Sequence, residues 1–228
     1  MKKLQRFPVL LAALLAATTA SAQQAGNNVF GVGLASINPD ASLGPLTNSG
    51  GLTAALSGAS AHVSSETTVS FGWLHLFTDQ LGVEATLGLP PRVTQDLHAI
   101  GASHPGAARF DVWTPTVVGK YFFGTPQDSW RPYLGLGVSH VSFHDIRTNP
   151  NDATIQALGG TSAKLSSSFT PVYNAGLIYH IDERWSLNGS VSYLPIRTDA
   201  TFVGAAGTTT GRVRLNTTDY VIRLGYRF

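Results

Sequence analysis

The chain has 228 residues, of which 12% are charged and 24 are glycine, and it contains no cysteine. So few charges are unusual for a soluble domain, where about a quarter of residues are charged, and the lack of cysteine excludes disulfides, thiolate metal sites and a cysteine nucleophile. Setting aside Lys2, Lys3 and Arg6 in the first segment leaves twelve basic and thirteen acidic residues, a net charge of −1 that gives no support to nucleic-acid binding.

That first segment, MKKLQRFPVLLAALLAATTASAQQ, has the three parts of a secretory signal peptide. The three basic residues form the positive start, VLLAALLAA is a short apolar core, and Ala20–Ala22 is an A-x-A cleavage site. The apolar core is shorter than the roughly 20 residues that a membrane-spanning helix needs. We therefore expect residues 1–22 to be removed and residues 23–228 to form one mature domain.

From Asn28 onward the dominant period is two, as shown by the last run, YVIRLGYRF. A soluble antiparallel sandwich would also alternate. Here, however, the face opposite the apolar one is mostly Gly, Ser and Thr rather than Lys and Glu. Aromatic residues also gather at the ends of the alternating runs. Both features are typical of an outer-membrane barrel with aromatic girdles at the two interfaces.

The pattern predicts an all-β fold: an eight-stranded antiparallel transmembrane β-barrel of the outer-membrane type. We place its strands near residues 28–37, 61–76, 81–91, 109–123, 130–143, 167–181, 185–198 and 212–228. Short turns at 78–80, 124–129 and 182–184 alternate with long polar connections at 38–60, 92–108, 144–166 and 199–211. Such alternation is typical of periplasmic turns and extracellular loops. The run NDATIQALGG predicts a short helix beginning near Asn151 or Asp152.

The last predicted strand continues to the final residue of the chain. Because an edge strand in lipid cannot leave its backbone groups unpaired, this strand must close onto the first. Tyr226 and Phe228 then lie on the lipid-facing side, and such an alternating aromatic terminus resembles the signal read by the outer-membrane assembly machinery.

Several segments, in the same order along nearly the whole mature chain, resemble the OmpW family of small outer-membrane proteins. They are NPDASLGPL, LGVEATLGLP, TPTVVGKYFFG, RPYLGLGVSHVSF and LGYRF. The resemblance implies a Gram-negative outer-membrane barrel, surrounded by lipids and lipopolysaccharide. It also implies a narrow apolar interior that passes small hydrophobic molecules, with lateral exit into the bilayer. The sequence departs from the family at GLIY, where members often carry an acidic residue and this chain has Ile178.

On each strand, the residues that alternate with the lipid-facing ones point into the lumen. Near the short-turn end these include a charged set: Glu84, Lys120, Arg131, Arg223 and Arg227. Glu84 and Lys120 lie on adjacent strands at similar depth, which favours a cross-strand ion pair. Eight strands leave an interior that side chains nearly fill. We predict that this set plugs the periplasmic end and prevents a straight-through aqueous pore; the alternative is separate charges in a wet lumen.

Further from that end, the luminal positions mix apolar and small polar groups, which suits a hydrophobic solute better than a sugar. Leu74, Val118, Ile178 and Ser190 are the candidates for the solute path. Phe169 opens the sixth strand and matches a position where the family tends to have a bulky aromatic, which makes it the candidate gate. The alternative places Phe169 in the outer aromatic girdle.

No sequence pattern indicates an enzyme, a metal site or a cofactor, and we predict none. His140-x-Ser142, with Asp152 downstream, faintly resembles lipid A deacylases, but such a triplet arises easily by chance in a Ser-rich chain. The remaining histidines lack paired-ligand spacing. Three functions stay open: an uptake route for small hydrophobic molecules, a structural or surface-recognition barrel whose loops contact phage, bacteriocin or host surfaces, and a lipid A-modifying enzyme.

Overall fold

The computed structural model describes residues 24–228, so the predicted signal peptide lies outside it. The described part contains twelve strands and one helix: β1 Asn28–Asn48, β2 Ser60–Val63, β3 Glu66–Leu76, β4 Leu81–Gly88, β5 Arg92–Ala99, β6 Ala102–Trp113, β7 Thr116–Phe122, β8 Trp130–Thr148, α1 Ala153–Gly159, β9 Ser162–Leu165, β10 Ser168–His180, β11 Trp185–Gly204 and β12 Gly207–Arg227. No helix within residues 24–228 is long and apolar enough to cross a membrane.

Eight of these strands form a closed antiparallel ring, which confirms the predicted barrel. Its order is β10–β11–β12–β1–β3–β4–β7–β8, and β8 pairs in turn with β10. The last strand closes onto the first as expected, and the Phe228 N–H donates to the Asn28 carbonyl at 3.0 Å. Closure leaves the ring without an edge, as lipid requires.

The two faces of the ring differ as the period of two predicts. On β8, Leu134 and Leu136 are 57% and 68% exposed on the outside, whereas Tyr133 between them is 1% exposed on the inside. Aromatic side chains surround the end with the short turns, as in the contacting pair Trp130 and Tyr179, whose ring centroids are 4.4 Å apart. This end carries the start of β1 and the end of β12, the arrangement of a periplasmic face.

The connections predicted as long polar loops are mostly strand, which corrects the predicted boundaries. β1, β8, β11 and β12 continue past the apolar band, and the short strands β2, β5, β6 and β9 pair onto this extension. The predicted second and fourth strands are each divided, at residues 64–65 and 114–115. The predicted helix is confirmed as α1, whose N-cap Asp152 accepts a hydrogen bond from the Ile155 N–H at 3.1 Å.

The extension holds together because its inward side chains are apolar. They form a buried apolar cluster that lines the extracellular half of the barrel: Val63, Val93, Phe110, Val118, Val141, Val172, Leu194, Ile196, Ala200, Val213 and Leu215. Burying this much aliphatic surface stabilises the extension. The lumen is consequently apolar towards the outside and charged towards the periplasm.

Candidate solute path

A charged network crosses the lumen near the periplasmic end. The Glu84 carboxylate accepts from Lys120 Nζ at 2.7 Å and from Arg223 Nη1 at 2.9 Å. All three side chains are buried, and the predicted ion pair between Glu84 and Lys120 is confirmed. Arg223 also donates to Ser70 Oγ at 2.7 Å, and Lys120 lies 4.4 Å from the centroid of the Tyr133 ring. We call Ser70, Glu84, Lys120, Tyr133 and Arg223 the floor network.

Two luminal glycines make room for this network. A Cβ placed on Gly72 would lie 2.9 Å from Arg223 Nη1, so the bare backbone lets the arginine lie across β3 towards Glu84. A Cβ on Gly176 would overlap the Tyr133 phenol, whose hydroxyl donates to Asn188 Oδ1 at 3.0 Å. Glycine in a strand often marks such a close approach.

The other two arginines of the predicted plug lie at a different level from the floor network. Arg131 is fully buried, stacks over the Phe122 ring at 5.3 Å and donates to the Asp79 carbonyl at 2.6 Å in a periplasmic turn. Arg227 is partly buried at the end of β12. The predicted charged set therefore divides into a network around Glu84 and a second layer of cations closer to the periplasm.

Two of the residues predicted for the solute path lie in this packed region instead. Leu74 and Ile178 are 3% and 1% exposed and belong to an apolar cluster with Val29, Leu76, Phe122 and Tyr133. Both side chains point inward as predicted, but they pack beside the charged groups and shield them from water. They belong to the packed end of the lumen rather than to its open part.

Directly beyond the floor network the lumen opens into a cavity of about 70 Å³, which we call the lower chamber. Glu84 and Arg223 line its base, and its walls include Thr68, Val118, Val172, Asn174, Ser190 and Asp219. The predicted path residues Val118 and Ser190 are thus placed together here. The volume is enough for several water molecules or one end of a small solute.

Two further cavities continue the lumen towards the outside, and consecutive cavities share lining residues. The middle chamber shares Ile37, Leu194 and Asp219 with the lower chamber and is otherwise lined mostly by apolar side chains. The upper chamber lies within the extension, and α1 contributes Ile155 and Leu158 to its wall. An almost wholly apolar lining thus runs from the extension to the lower chamber.

Phe110 separates the upper and middle chambers, a role that the sequence reasoning missed. Its side chain is 2% exposed, lines both cavities and contacts the Phe143 ring edge-on at 5.7 Å. Thr116 and Val118 point into the lumen, and counting back from them in steps of two past Pro115 leads to Phe110. Phe110 is thus an aromatic side chain shared by the walls of both cavities.

The wall beside the lower chamber has a break in its hydrogen-bond ladder. Pairing between β4 and β7 ends at Thr86 and Thr116, and the next backbone hydrogen bond across this seam in the described chain runs from the Val112 N–H to the Pro91 carbonyl. Prolines at 90, 91 and 115 have no N–H to donate, which keeps the seam unpaired. The lower chamber is lined by residues from both sides of the seam, including Leu89 and Thr114.

Phe169 does not lie in the lumen, so its prediction as a luminal gate is wrong. Its side chain is 76% exposed on the outer face of β10 and packs against the His140 ring, with centroids 4.8 Å apart. This is the girdle position that was the alternative. Phe169 has the same parity as the lipid-facing Tyr173 and Leu177.

The residues of the faint deacylase pattern have other partners. His140 stacks on Phe169, Ser142 Oγ lies 3.1 Å from His144 Nε2, and Asp152 contacts His104 Nδ1 at 2.7 Å while capping α1. The three groups are not arranged as nucleophile, base and orienting carboxylate. Within residues 24–228, no three potential metal ligands of the His, Cys, Asp or Glu type come together.

Comparison with known proteins agrees with this architecture. The model of the OmpW family matches residues 24–228. Outer membrane protein W of Escherichia coli (strain K12) is 28% identical over 229 residues, covering 100% of both chains. Outer membrane protein AlkL of Ectopseudomonas oleovorans is 26% identical over 183 residues, covering 80% of this chain and 73% of that protein.

Among solved structures, the crystal structure of the outer membrane protein OprG from Pseudomonas aeruginosa matches with a TM-score of 0.80 and 26% identity, covering 91% of this chain and 98% of that one. Family, closed ring and lipid-facing aromatic girdle agree on the Gram-negative outer membrane as the location. This chain belongs to the OmpW family of outer-membrane proteins.

Proposed function

We propose that this protein takes small hydrophobic molecules into the lumen from outside the cell and releases them sideways into the outer membrane. The observation that carries the proposal is a series of three cavities: two chambers with mostly apolar lining, beginning in the extension, lead to the more polar lower chamber beside the unpaired seam. A hydrophobic solute gains by leaving water at each step along such a lining.

The floor network supports lateral rather than straight-through release. Three buried charged groups satisfy one another, with Lys120 and Arg223 both on Glu84. An apolar solute offers no replacement for these contacts, and separating them would leave charges buried and unpaired, which is strongly unfavourable. A molecule in the lower chamber therefore meets its lowest barrier at the side wall.

The seam between β4 and β7 is where that wall can open most easily. On each side of the seam the backbone bonds instead to the strand on its other side: the Leu89 N–H donates to the Val69 carbonyl at 2.9 Å, and the His140 N–H donates to the Pro115 carbonyl at 3.0 Å. Moving the two sides apart here breaks no ladder pair between them. In the described state Phe110 closes the path above, so uptake requires its side chain to change rotamer.

The test is entry of a small fluorescent hydrophobic compound into intact cells, comparing a strain that lacks the protein with a complemented one. Intact lipopolysaccharide is needed because such a compound crosses a plain phospholipid vesicle unaided. The blocking variant is Ser190→Trp, which fills the lower chamber. Its matched control is Val191→Trp, because Val191 is the next residue along β11 and faces the lipid, 39% exposed.

We expect the protein to accelerate entry several-fold, Ser190→Trp to abolish the gain and Val191→Trp to keep it. Equal entry with and without the protein would contradict the proposal for that class of compound. Equal loss in both tryptophan variants would show that the added bulk, rather than an obstructed lumen, is responsible.

A further inference from the structure

Three polar side chains form a row across the wall of the lower chamber. Asn174 on β10 pairs in register with Ser192 on β11, and Ser192 pairs with Asp219 on β12. All three line the same cavity. Register places them at one depth on three adjacent strands, with the Asn174 amide nitrogen turned towards Ser192 and its amide oxygen towards Gly135 on β8.

The row is unbalanced towards hydrogen-bond acceptors. Asn174 Nδ2 donates to Ser192 Oγ at 2.9 Å and to the Val191 carbonyl at 3.2 Å, which leaves Asn174 Oδ1 without a partner. Asp219 Oδ1 is likewise buried and unpartnered. A buried polar atom without a hydrogen bond costs free energy, and each such atom in a native fold calls for an explanation.

No cation of the floor network serves Asp219. Arg223, two residues along β12, is engaged by Glu84 at 2.9 Å and by Ser70 at 2.7 Å. Lys120 contacts Glu84 and Tyr133. None of the ion pairs within residues 24–228 includes Asp219. Glu84, the carboxylate of the floor network, has two cationic partners.

The space around the row is apolar on the side away from the floor. Asp219 also lines the middle chamber, together with Ile37, Leu194 and Leu215. A ligand that satisfied the row would therefore have a donor group at one end and an alkyl chain at the other, with the chain directed towards the outside. The lower chamber, of about 70 Å³, accommodates the donor end.

We propose that Asp219 and the neighbouring Ser192 hydroxyl, which Asn174 holds in place, bind the ammonium group of a primary alkylamine whose chain lies in the middle chamber. The inference rests on the proposed function and narrows its substrate class. An ammonium group has three donors and no acceptor, which matches the Asp219 carboxylate and the hydroxyl oxygen of Ser192. An alcohol supplies a single donor, and a fatty acid would bring a second carboxyl group against Asp219.

The test is binding of octylammonium to the full mature protein in phospholipid nanodiscs. Binding is monitored through the backbone amide NMR signals of residues 174, 192 and 219. Nanodiscs without the protein measure separately how much ligand partitions into the lipid. The variant is Asp219→Asn, which keeps the shape and removes the charge. The control is Asp199→Asn on the neighbouring strand, 71% exposed and outside the cavity. 1-Octanol serves as the uncharged ligand of equal length.

We expect Asp219→Asn to weaken octylammonium binding about tenfold or more, as for loss of one charge-assisted hydrogen bond. Octanol binding should change less than threefold, and Asp199→Asn should behave as the parent. Octylammonium affinity unchanged in Asp219→Asn, or an equal loss for both ligands, would overturn the inference. Retained heat-modifiable gel mobility of the variant shows that the barrel is folded.

This binding measurement is independent of transport, so the two proposals can fail separately. Entry of octane into intact cells, measured with and without the protein, tests the uptake route alone. Octane entry that depends on the protein, combined with unaltered amine binding in Asp219→Asn, removes the amine site and leaves the route standing. Amine binding lost in Asp219→Asn without protein-dependent octane entry removes the hydrocarbon route and leaves the site.

Discussion

Arg223 on β12 and Glu84 on β4 form an ion pair at 2.9 Å although β1 and β3 lie between their strands. The contact therefore spans a chord of the barrel rather than a pair of neighbours. With Lys120 bound to the second carboxylate oxygen, one acidic group connects three strands across the lumen. The floor network thus links distant strands of the barrel, in addition to its predicted role as a plug.

Replacing Glu84 should destabilise the barrel strongly. Glu84→Gln leaves two cations buried without their counter-charge, and we expect the free energy of unfolding to fall by about 3–5 kcal/mol. Equilibrium urea unfolding in lipid vesicles measures it. Glu183→Gln, in an exposed periplasmic turn, is the control and should change stability by less than about 0.5 kcal/mol. Similar values for the two variants would mean that water reaches Glu84 freely.

Replacing the charged side chains of the floor network with short ones should make the protein conduct ions. Glu84→Ser, Lys120→Ser and Arg223→Ser combined remove three long side chains from the lumen while keeping small polar groups there. We expect negligible conductance from the parent protein in a planar lipid bilayer and discrete conducting events from the triple variant. If the triple variant stays closed while folded, the obstruction must lie elsewhere, with the second cation layer at Arg131 as the next candidate.

A methyl group at Gly176 should perturb the lumen, whereas one at Gly189 should not. The Cβ of Gly176→Ala would meet the Tyr133 phenol, and overpacking of this kind costs about 1–3 kcal/mol. Gly189 lies on the neighbouring strand, and a Cβ there meets no atom within 4 Å. The comparison requires thermal or urea unfolding of both variants. Equal stabilities would show that Tyr133 moves aside without loss.

The cap of α1 should weaken at low pH. Hydrogen bonds from the Ile155 N–H and from His104 hold the pKa of the Asp152 carboxyl below its usual range. Because the folded-state pKa is depressed, the stabilisation is complete above about pH 4 and is lost as pH falls through the folded-state pKa. Amide hydrogen exchange in residues 153–159 should therefore accelerate in acid beyond its intrinsic pH dependence.

Asp152→Ala supplies the control for that measurement. It removes the cap at every pH, with a cost to the helix of about 1 kcal/mol, and its exchange should show no further acid-induced loosening. An acid response of equal size in Asp152→Ala would assign the effect to another group.

The terminal aromatic residue should matter for assembly. Phe228 is 69% exposed on the lipid side of the closing strand, and we predict that Phe228→Ser lowers the amount of heat-modifiable protein in the outer-membrane fraction several-fold. Phe77→Ser removes a lipid-facing aromatic, 62% exposed, at the same end of the barrel but inside the chain. If both variants assemble equally poorly, the loss reflects girdle anchoring rather than a terminal signal.

The alternation of faces along single strands was enough to predict the contact between Glu84 and Lys120, which lie on adjacent strands. Counting residues from the short turns gives the depth of Glu84 and of Lys120 in the barrel, and the period of two gives the face on which each lies. The link from Glu84 to Arg223 could not be predicted in this way, since it depends on barrel closure and on the space left by Gly72. For Phe169 the parity shared with Tyr173 gave the correct face, whereas the positional resemblance to the family did not.

The extension was harder to predict because irregularities interrupt its alternation. The register between β1 and β12 shifts between Leu43 and Leu46, and that between β6 and β8 shifts between Arg109 and Asp111. Asp145 adds a positive φ of 50° on β8. A bulge reverses the faces of the residues that follow on its own strand, so the inward residues of β1 and β8 change parity along the sequence, whereas those of β11 and β12 do not. The inward position of Asp219 could be predicted from the sequence because it shares the parity of Val221 and Arg223 along β12. Its lack of a hydrogen-bond partner is visible only in three dimensions.

The length of β12 determines where the mouth of the lumen stands. Its outward apolar residues end at Tyr220, and the strand then continues through Asp219 back to Gly207. At about 3.4 Å per residue and a tilt near 40°, these thirteen residues raise the rim about 30 Å above the hydrocarbon. The wall is thus a sheath through the layer of sugars and phosphates outside the bilayer. Under the proposed function, a hydrophobic molecule that enters at the rim would bypass this polar layer.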